Sequence, residues 1–163
     1  MSRKIPDTIS EDELLMILKV TRKKTHRAAY ILGFYECLRV SEIVKLQKKD
    51  IDMARGFLQI RQAKGNKDRD IPIMNSAKHH LRNIPIGCGV RALERSIKRH
   101  SLKAIDKDIH FHTLRHSGAS YYLNEKSIDI RYIQKLLGHA RLSTTQIYTH
   151  VTPENLKRAF ENT

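Results

Sequence analysis

The sequence predicts an α+β fold that is mainly helical, with one small three-stranded antiparallel sheet. Apolar residues recur at helical spacing before residue 50 and after residue 75. Between them, residues 57–63 alternate apolar and polar side chains, and the turn sequences ARG and KGNKDR lie on either side of them. The chain has 163 residues, 40% of them hydrophobic, which suffices for one ordinary domain with its own core. We therefore expect a single domain over residues 1–163.

Three helices are predicted in the N-terminal third. Ser10 and Glu13 form a capping box ahead of an apolar face, which predicts a helix to about Val20. A second helix is expected over residues 24–37. A third, SEIVKLQ, is expected to have Ser41 as its N-cap.

Three strands and five further helical segments complete the prediction. The strands are expected at 50–53, 57–63 and 70–73. The helical segments are expected at 76–83, 89–100, 112–124 and 128–137, and from residue 153 onward. Gly138 is a common C-terminal cap residue, and Thr152 followed by Pro153 is a typical helix start.

The charge of the chain indicates the class of its partner. There are 31 Lys and Arg residues against 17 Asp and Glu, a net charge of +14. A folded domain this basic repels itself unless it meets a polyanion, usually nucleic acid; a generally adhesive basic protein is the alternative. No apolar run approaches the roughly 18 residues of a membrane span. The two cysteines fit no disulfide framework, which favours a reducing intracellular setting.

Two arginines are candidates for binding an anion. Arg39 lies at a helix boundary beside apolar residues, so its guanidinium is expected to be partly buried and to need an anionic partner. An internal ion pair with Glu42 or Glu36 is the structural alternative. His112 and Arg115 are three residues apart and share a helix face. Taken alone, that pair reads as a surface turn with an ion-paired arginine.

Two other segments carry candidate polar groups. Lys64 and Lys67 lie at the tip of the predicted hairpin, where most lysines are merely solvated. Tyr148 follows His139 by nine residues in a polar setting, just after a second capping box sequence. A buried tyrosine usually packs its ring and bonds its hydroxyl, and this setting is a poor one for a core aromatic residue.

The order of these residues resembles the catalytic domain of the tyrosine recombinases, or phage integrases. The blocks LRVSEI, KGNKDRDIPI, HTLRHSGAS and LLGHARLSTTQIYTHV match the family's blocks, most closely those of its Xer-like and mobile-element branches. The resemblance extends over nearly the whole chain. One departure is Glu36-Cys37 before the first arginine, where the family often has Thr-Gly.

The resemblance implies a DNA breaking and rejoining fold and a set of catalytic roles. In those roles Arg39 and Arg115 clamp the scissile phosphate, and Tyr148 is the nucleophile that forms a covalent 3′-phosphotyrosine. Lys64 serves the leaving group, with Lys67 as a nearby rival, and His112 and His139 assist. The reaction would need neither metal nor ATP, and no cofactor is expected.

The resemblance also implies which partners the chain binds, and it leaves alternative functions open. Double-stranded DNA is the expected substrate, with a monomer free in solution, a homotetramer on paired sites and a cytoplasmic location. A non-cutting DNA-binding regulator of the same fold and a type IB topoisomerase are the rival functions. The family's N-terminal core-binding domain is expected to be absent, which predicts weak, salt-sensitive DNA binding. Residues 152–163 resemble a tail that docks into a neighbouring subunit; packing on their own domain is the alternative.

Overall fold

The computed structural model describes residues 8–61, 68–138 and 153–161. The helices are α1 Glu11–Val20, α2 Lys24–Tyr35, α3 Val40–Lys45, α4 Asn75–Lys78, α5 Val90–Ile105, α6 Phe111–Asn124, α7 Ile130–Leu137 and α8 Pro153–Phe160. The strands are β1 Ile51–Asp52, β2 Phe57–Ile60 and β3 Arg69–Pro72, and short 3₁₀ turns lie at Lys48–Asp50 and His79–Asn83. The predicted fold class, mainly helical with one small antiparallel sheet, is confirmed.

The sheet has the order β1-β2-β3 with both pairings antiparallel. Ile51 pairs with Leu58, and Ile60 pairs with Arg69. The described parts of two strands are shorter than predicted, since β1 has only two residues and β2 ends at Ile60. Strand β3 has the predicted length but begins one residue earlier, at Arg69. The tip of the β2–β3 hairpin, residues 62–67, lies outside the described residues.

Side-chain caps fix the starts of α1 and α3. Ser10 Oγ accepts a hydrogen bond from the Glu13 backbone N–H (3.2 Å), and Glu13 accepts one from the Ser10 N–H (3.0 Å), as the capping box predicts. The predicted N-cap of α3 is wrong: the helix begins at Val40, so Arg39 rather than Ser41 occupies the cap position. Glu42 explains the difference, because its carboxylate accepts the Arg39 backbone N–H (2.8 Å) and so satisfies an amide at the end of the helix.

Helix α2 is the centre of the core, and nine of its residues are buried. It packs closely against α6 at Gly118, where an added Cβ would overlap the Phe34 carbonyl oxygen and crowd the Cys37 sulfur. The absence of a side chain at Gly118 is therefore what allows this close approach. As a result, the C-terminal end of α2 lies against the middle of α6.

Helix α8 packs on its own chain. Leu156 and Phe160 are buried, and the Phe160 ring meets that of Tyr122 edge-on with centroids 4.8 Å apart. Lys157 Nζ donates to the Arg55 carbonyl (2.7 Å). Within this single chain, the described part of the C-terminal segment therefore packs on its own domain, which was the second of the two alternatives. Within the described ranges, every helix is too short or too polar to cross a bilayer.

Candidate catalytic site

Three of the six predicted site residues fall within the described structure. Arg39 precedes α3, while His112 and Arg115 lie on the first turns of α6. Lys64, His139 and Tyr148 lie outside the described residues. His112 is exposed and Arg115 is buried, so the face that they share runs from the surface into the domain.

Two backbone carbonyls hold the Arg115 guanidinium in place. Nη1 donates to the Cys37 carbonyl (2.5 Å) and Nη2 to the Leu137 carbonyl (2.8 Å). Arg115 is only 4% exposed. Burial lowers its pKa to about 10, and the charge of Arg39 adds to the lowering while Glu42 opposes it. The guanidinium therefore stays charged at neutral pH, and it has more N–H groups than these two bonds use.

The Cys37 carbonyl depends on an unusual backbone conformation. Cys37 has φ = 51°, in the left-handed region that glycine adopts most easily. This is the position where the family often has glycine, so the departure noted in the sequence changes the residue and keeps a backbone that suits glycine. The thiol is fully buried and lies beside Gly118.

Glu42 brings the predicted clamp residues together. Its Oε1 lies 3.3 Å from Arg39 Nη1, and its Oε2 lies 3.9 Å from Arg115 Nη1. The two guanidiniums therefore face one carboxylate rather than unrelated surfaces. The internal ion pair of Arg39 with Glu42 is present, but the Arg39 side chain is still 42% exposed, which leaves part of the guanidinium open to a ligand.

The other proposed partner of Arg39, Glu36, is occupied elsewhere. It is fully buried and accepts a hydrogen bond from the Met74 backbone N–H (2.8 Å). Burial raises the pKa of Glu36 to about 8, while the Met74 N–H opposes the rise. Glu36 is therefore predominantly neutral at neutral pH and pairs with no arginine among the described residues.

A third arginine, Arg69 at the start of β3, binds the same carboxylate and was missed by the sequence reasoning. Its Nη1 lies 2.8 Å from Glu42 Oε1, and its Nη2 lies 3.3 Å from Oε2. Burial alone raises the pKa of Glu42, but hydrogen bonds from Arg69 and the Arg39 backbone bring it below its ordinary value. A basic residue just before the predicted strand DIPI could have indicated Arg69. It lies inside the block KGNKDRDIPI, which already matched the family.

His79, His80 and Cys88 do not have the spacing typical of zinc ligands in the sequence, and they form no metal site within the described residues. His79 is exposed, and His80 and Cys88 are partly buried. Across the described ranges, no three His, Cys, Asp or Glu side chains come together as metal ligands do.

The chain is similar in sequence and fold to tyrosine recombinases. The model of the phage integrase family matches residues 7–95 and 89–155. The tyrosine recombinase XerA of Pyrococcus furiosus is 39% identical over 178 residues, which cover 96% of this chain and 62% of XerA. A crystal structure of XerA recombinase superposes with a TM-score of 0.75 at 29% identity, covering 98% of this chain and 66% of that one.

A structure solved with a bound substrate is also similar. The XerH site-specific recombinase bound to its difH substrate in a pre-cleavage complex has a TM-score of 0.68 at 25% identity, over 91% of this chain and 51% of that one. The chain thus spans less than two thirds of the length of the curated relatives that it matches.

Proposed function

The chain belongs to the phage integrase family, and from this premise we propose that it is the catalytic domain of a site-specific DNA recombinase. It would cleave and rejoin DNA through a covalent 3′-phosphotyrosine. The observation that carries the proposal is the meeting of Arg39 and Arg115 at Glu42. Two guanidiniums directed at one small region form the cationic site that a phosphodiester requires.

The arginines would stabilise the charge that develops on the phosphate. During in-line attack, negative charge grows on the non-bridging oxygens, and a guanidinium donates paired hydrogen bonds that lysine cannot copy. Loss of one such donor costs on the order of 3 kcal/mol of transition-state stabilisation. Arg115, held by two carbonyls, is pre-organised for this role, while the more exposed Arg39 would close onto the phosphate.

The remaining roles concern proton transfer and bond exchange. The Tyr148 oxygen would attack phosphorus as the bond from phosphorus to the 5′ oxygen breaks. The tyrosine proton would pass to His112, assisted by His139, and Lys64 would protonate the departing 5′ oxygen, since the positive surroundings lower a lysine pKa. The phosphotyrosine ester conserves the energy of the cleaved phosphodiester bond. The 5′ hydroxyl of a DNA end can therefore attack this ester and rejoin the strand without metal or ATP.

We propose double-stranded DNA as the substrate and the cytoplasm as the location. The structure of XerH with its difH substrate supports the choice of partner. We propose a monomer in solution and a homotetramer on two paired sites, with a single catalytic domain over residues 1–163. A non-cutting regulator of the same fold is the second candidate, and the following experiment separates the two.

The test uses covalent trapping. The chain is incubated with nicked duplexes of randomised sequence, whose short 5′-hydroxyl fragment diffuses away after cleavage, and adducts are resolved on denaturing gels. We expect a protein–DNA adduct that Tyr148→Phe abolishes and that the matched control Tyr132→Phe, on α7, retains. Duplex binding without any adduct would identify the regulator instead.

A further inference from the structure

Arg69 is bound more tightly to the carboxylate at the centre of the site than either predicted clamp residue. Both of its terminal nitrogens contact Glu42, one on each oxygen, at 2.8 and 3.3 Å. Arg39 reaches one oxygen through its side chain at 3.3 Å, and Arg115 approaches no closer than 3.9 Å. A bidentate arginine–carboxylate pair is the strongest of these arrangements.

The strength of the Arg69 contact matters because Glu42 competes with a DNA phosphate for the N–H groups of Arg39 and Arg115. A buried carboxylate that loses its partner is an uncompensated charge, and the other cations next to Glu42 are Arg39 and Arg115. With Arg69 in place, the carboxylate is satisfied on both oxygens. The two clamp guanidiniums are then oriented by Glu42 without being fully bound to it.

Arg69 also contacts the chain next to another predicted site residue. An ideal Cβ on Gly138 would lie 2.9 Å from both Cζ and Nε of Arg69, so the guanidinium packs directly against the Gly138 backbone. Gly138 immediately precedes His139, and the Leu137 carbonyl before it binds Arg115. Arg69 is the first residue of β3 and follows Lys64 by five residues in the sequence.

We propose that Arg69 is a positioning residue of the catalytic site, which neutralises Glu42 and thereby leaves Arg39 and Arg115 available to the phosphate. This inference rests on the proposed function. We expect Arg69 to act through other residues, because both of its terminal nitrogens face Glu42 and its side chain is only 10% exposed.

The first test compares two matched substitutions. Arg69→Met removes the pair with Glu42. Arg61→Met, on the same hairpin, removes a 2.8 Å pair with the buried Asp50, away from the site. We expect the single-turnover rate of adduct formation to fall about 100-fold in Arg69→Met, the effect typical of displaced catalytic groups, with little change in duplex affinity. Arg61→Met should cleave at nearly the wild-type rate.

A double variant separates positioning from a merely structural role. In Glu42→Gln/Arg69→Met the competing charge is gone, so we expect cleavage to recover at least tenfold relative to Arg69→Met. If Arg69 only holds β3 in place, the second substitution would bring no recovery, and the proposal would be overturned. The double variant also removes the unpaired buried charge, which keeps the test valid where Arg69→Met folds poorly.

A measurement without DNA keeps this inference distinct from the proposed function. The side-chain Nε–Hε resonances of Arg39 and Arg115 are assigned by lysine substitution and followed in the two Met variants. We expect both resonances to shift in Arg69→Met and to stay in place in Arg61→Met, even if the wild-type chain forms no adduct. Unchanged resonances in Arg69→Met, or a wild-type cleavage rate, would overturn the role of Arg69.

Discussion

At the scale of single residues, Glu36 links the stability of the domain to pH. Its carboxyl is fully buried, its Oε2 has no hydrogen-bond partner among the described atoms, and burial raises its pKa from 4.5 to about 8. Between these values the folded state keeps a proton that the unfolded state releases. The contribution is therefore fully present below pH 4.5 and is lost as pH rises towards 8.

We accordingly predict that Glu36→Gln removes part of the pH dependence of folding. The free energy of unfolding of the wild-type chain should fall with rising pH in this window, with a Glu36 term of up to about 1.4 kcal/mol per pH unit. Glu36→Gln should lack that term, since its amide cannot ionise. Urea denaturation at pH 5 and pH 8 measures it, with the exposed Glu125→Gln as control; equal slopes in all three proteins would contradict the prediction.

The same scale shows what the sequence could reveal about the site. Arg39 and Arg115 are predicted site residues because the motif blocks around them are specific, and the ion pair of Arg39 with Glu42 was one of two stated alternatives. The bond between Arg69 and Glu42 joins residues 27 positions apart. No local pattern predicts such a pair, because it exists only once β3 has been placed beside α3.

At the scale of elements, the contact of α2 with α6 sets the separation of Arg39 and Arg115. Gly118 allows that contact, since an added Cβ would meet the Phe34 backbone and the Cys37 sulfur. Backbone atoms cannot rotate away as the end of a flexible side chain can. Any substitution at Gly118 must therefore move one helix relative to the other.

We predict that Gly118→Ala lowers the free energy of unfolding by about 1–3 kcal/mol or more, the cost typical of overpacking a core, despite the better helix propensity of alanine. Adduct formation should fall as well, because Arg115 lies on α6 and Arg39 follows the end of α2 by four residues, so a shift between these helices displaces the two guanidiniums. Gly89→Ala is the matched control, since a Cβ there has nothing within 4 Å. A stabilised Gly118→Ala, as measured by thermal and urea denaturation, would contradict this account.

Element boundaries were predictable where caps and glycines determine them. The capping box of α1 and the glycine after α7 were both read correctly from the sequence; Gly138 has φ = 67°. Helix α5 continues to Ile105, beyond the predicted end at residue 100, because no breaker interrupts it there. The start of α3 was misplaced because a glutamate inside the helix caps it and a serine does not.

At the scale of the whole molecule, part of the excess positive charge is concentrated around one cavity. A cavity of about 440 Å³ between α1, α2 and α5 is lined by Arg22, Lys23, Arg99 and Lys103, with His26, His100 and no carboxylate. Burial lowers the pKa of His26 and His100, and the neighbouring cations lower it further. The net charge of +14 thus acts as mutual repulsion that a polyanion relieves.

We therefore expect duplex binding by this chain to be weak and strongly dependent on salt. A protein that makes 6–10 phosphate contacts loses roughly 10³–10⁵ in affinity between 50 and 200 mM salt. Fluorescence anisotropy with a labelled duplex across that range measures the slope. Tight binding that persists at physiological salt would show that contacts other than charge dominate.

The contacts of three arginines with Glu42 have a consequence for which substitutions this protein tolerates during evolution. Neutralising position 69 alone removes the bidentate partner of the buried Glu42, and neutralising position 42 alone leaves Arg69 without its carboxylate. Breaking one side of such a pair typically costs several kcal/mol, whereas losing both charges together is far better tolerated. We therefore expect positions 42 and 69 to change together in related sequences. A relative that lacks the glutamate should also lack the arginine.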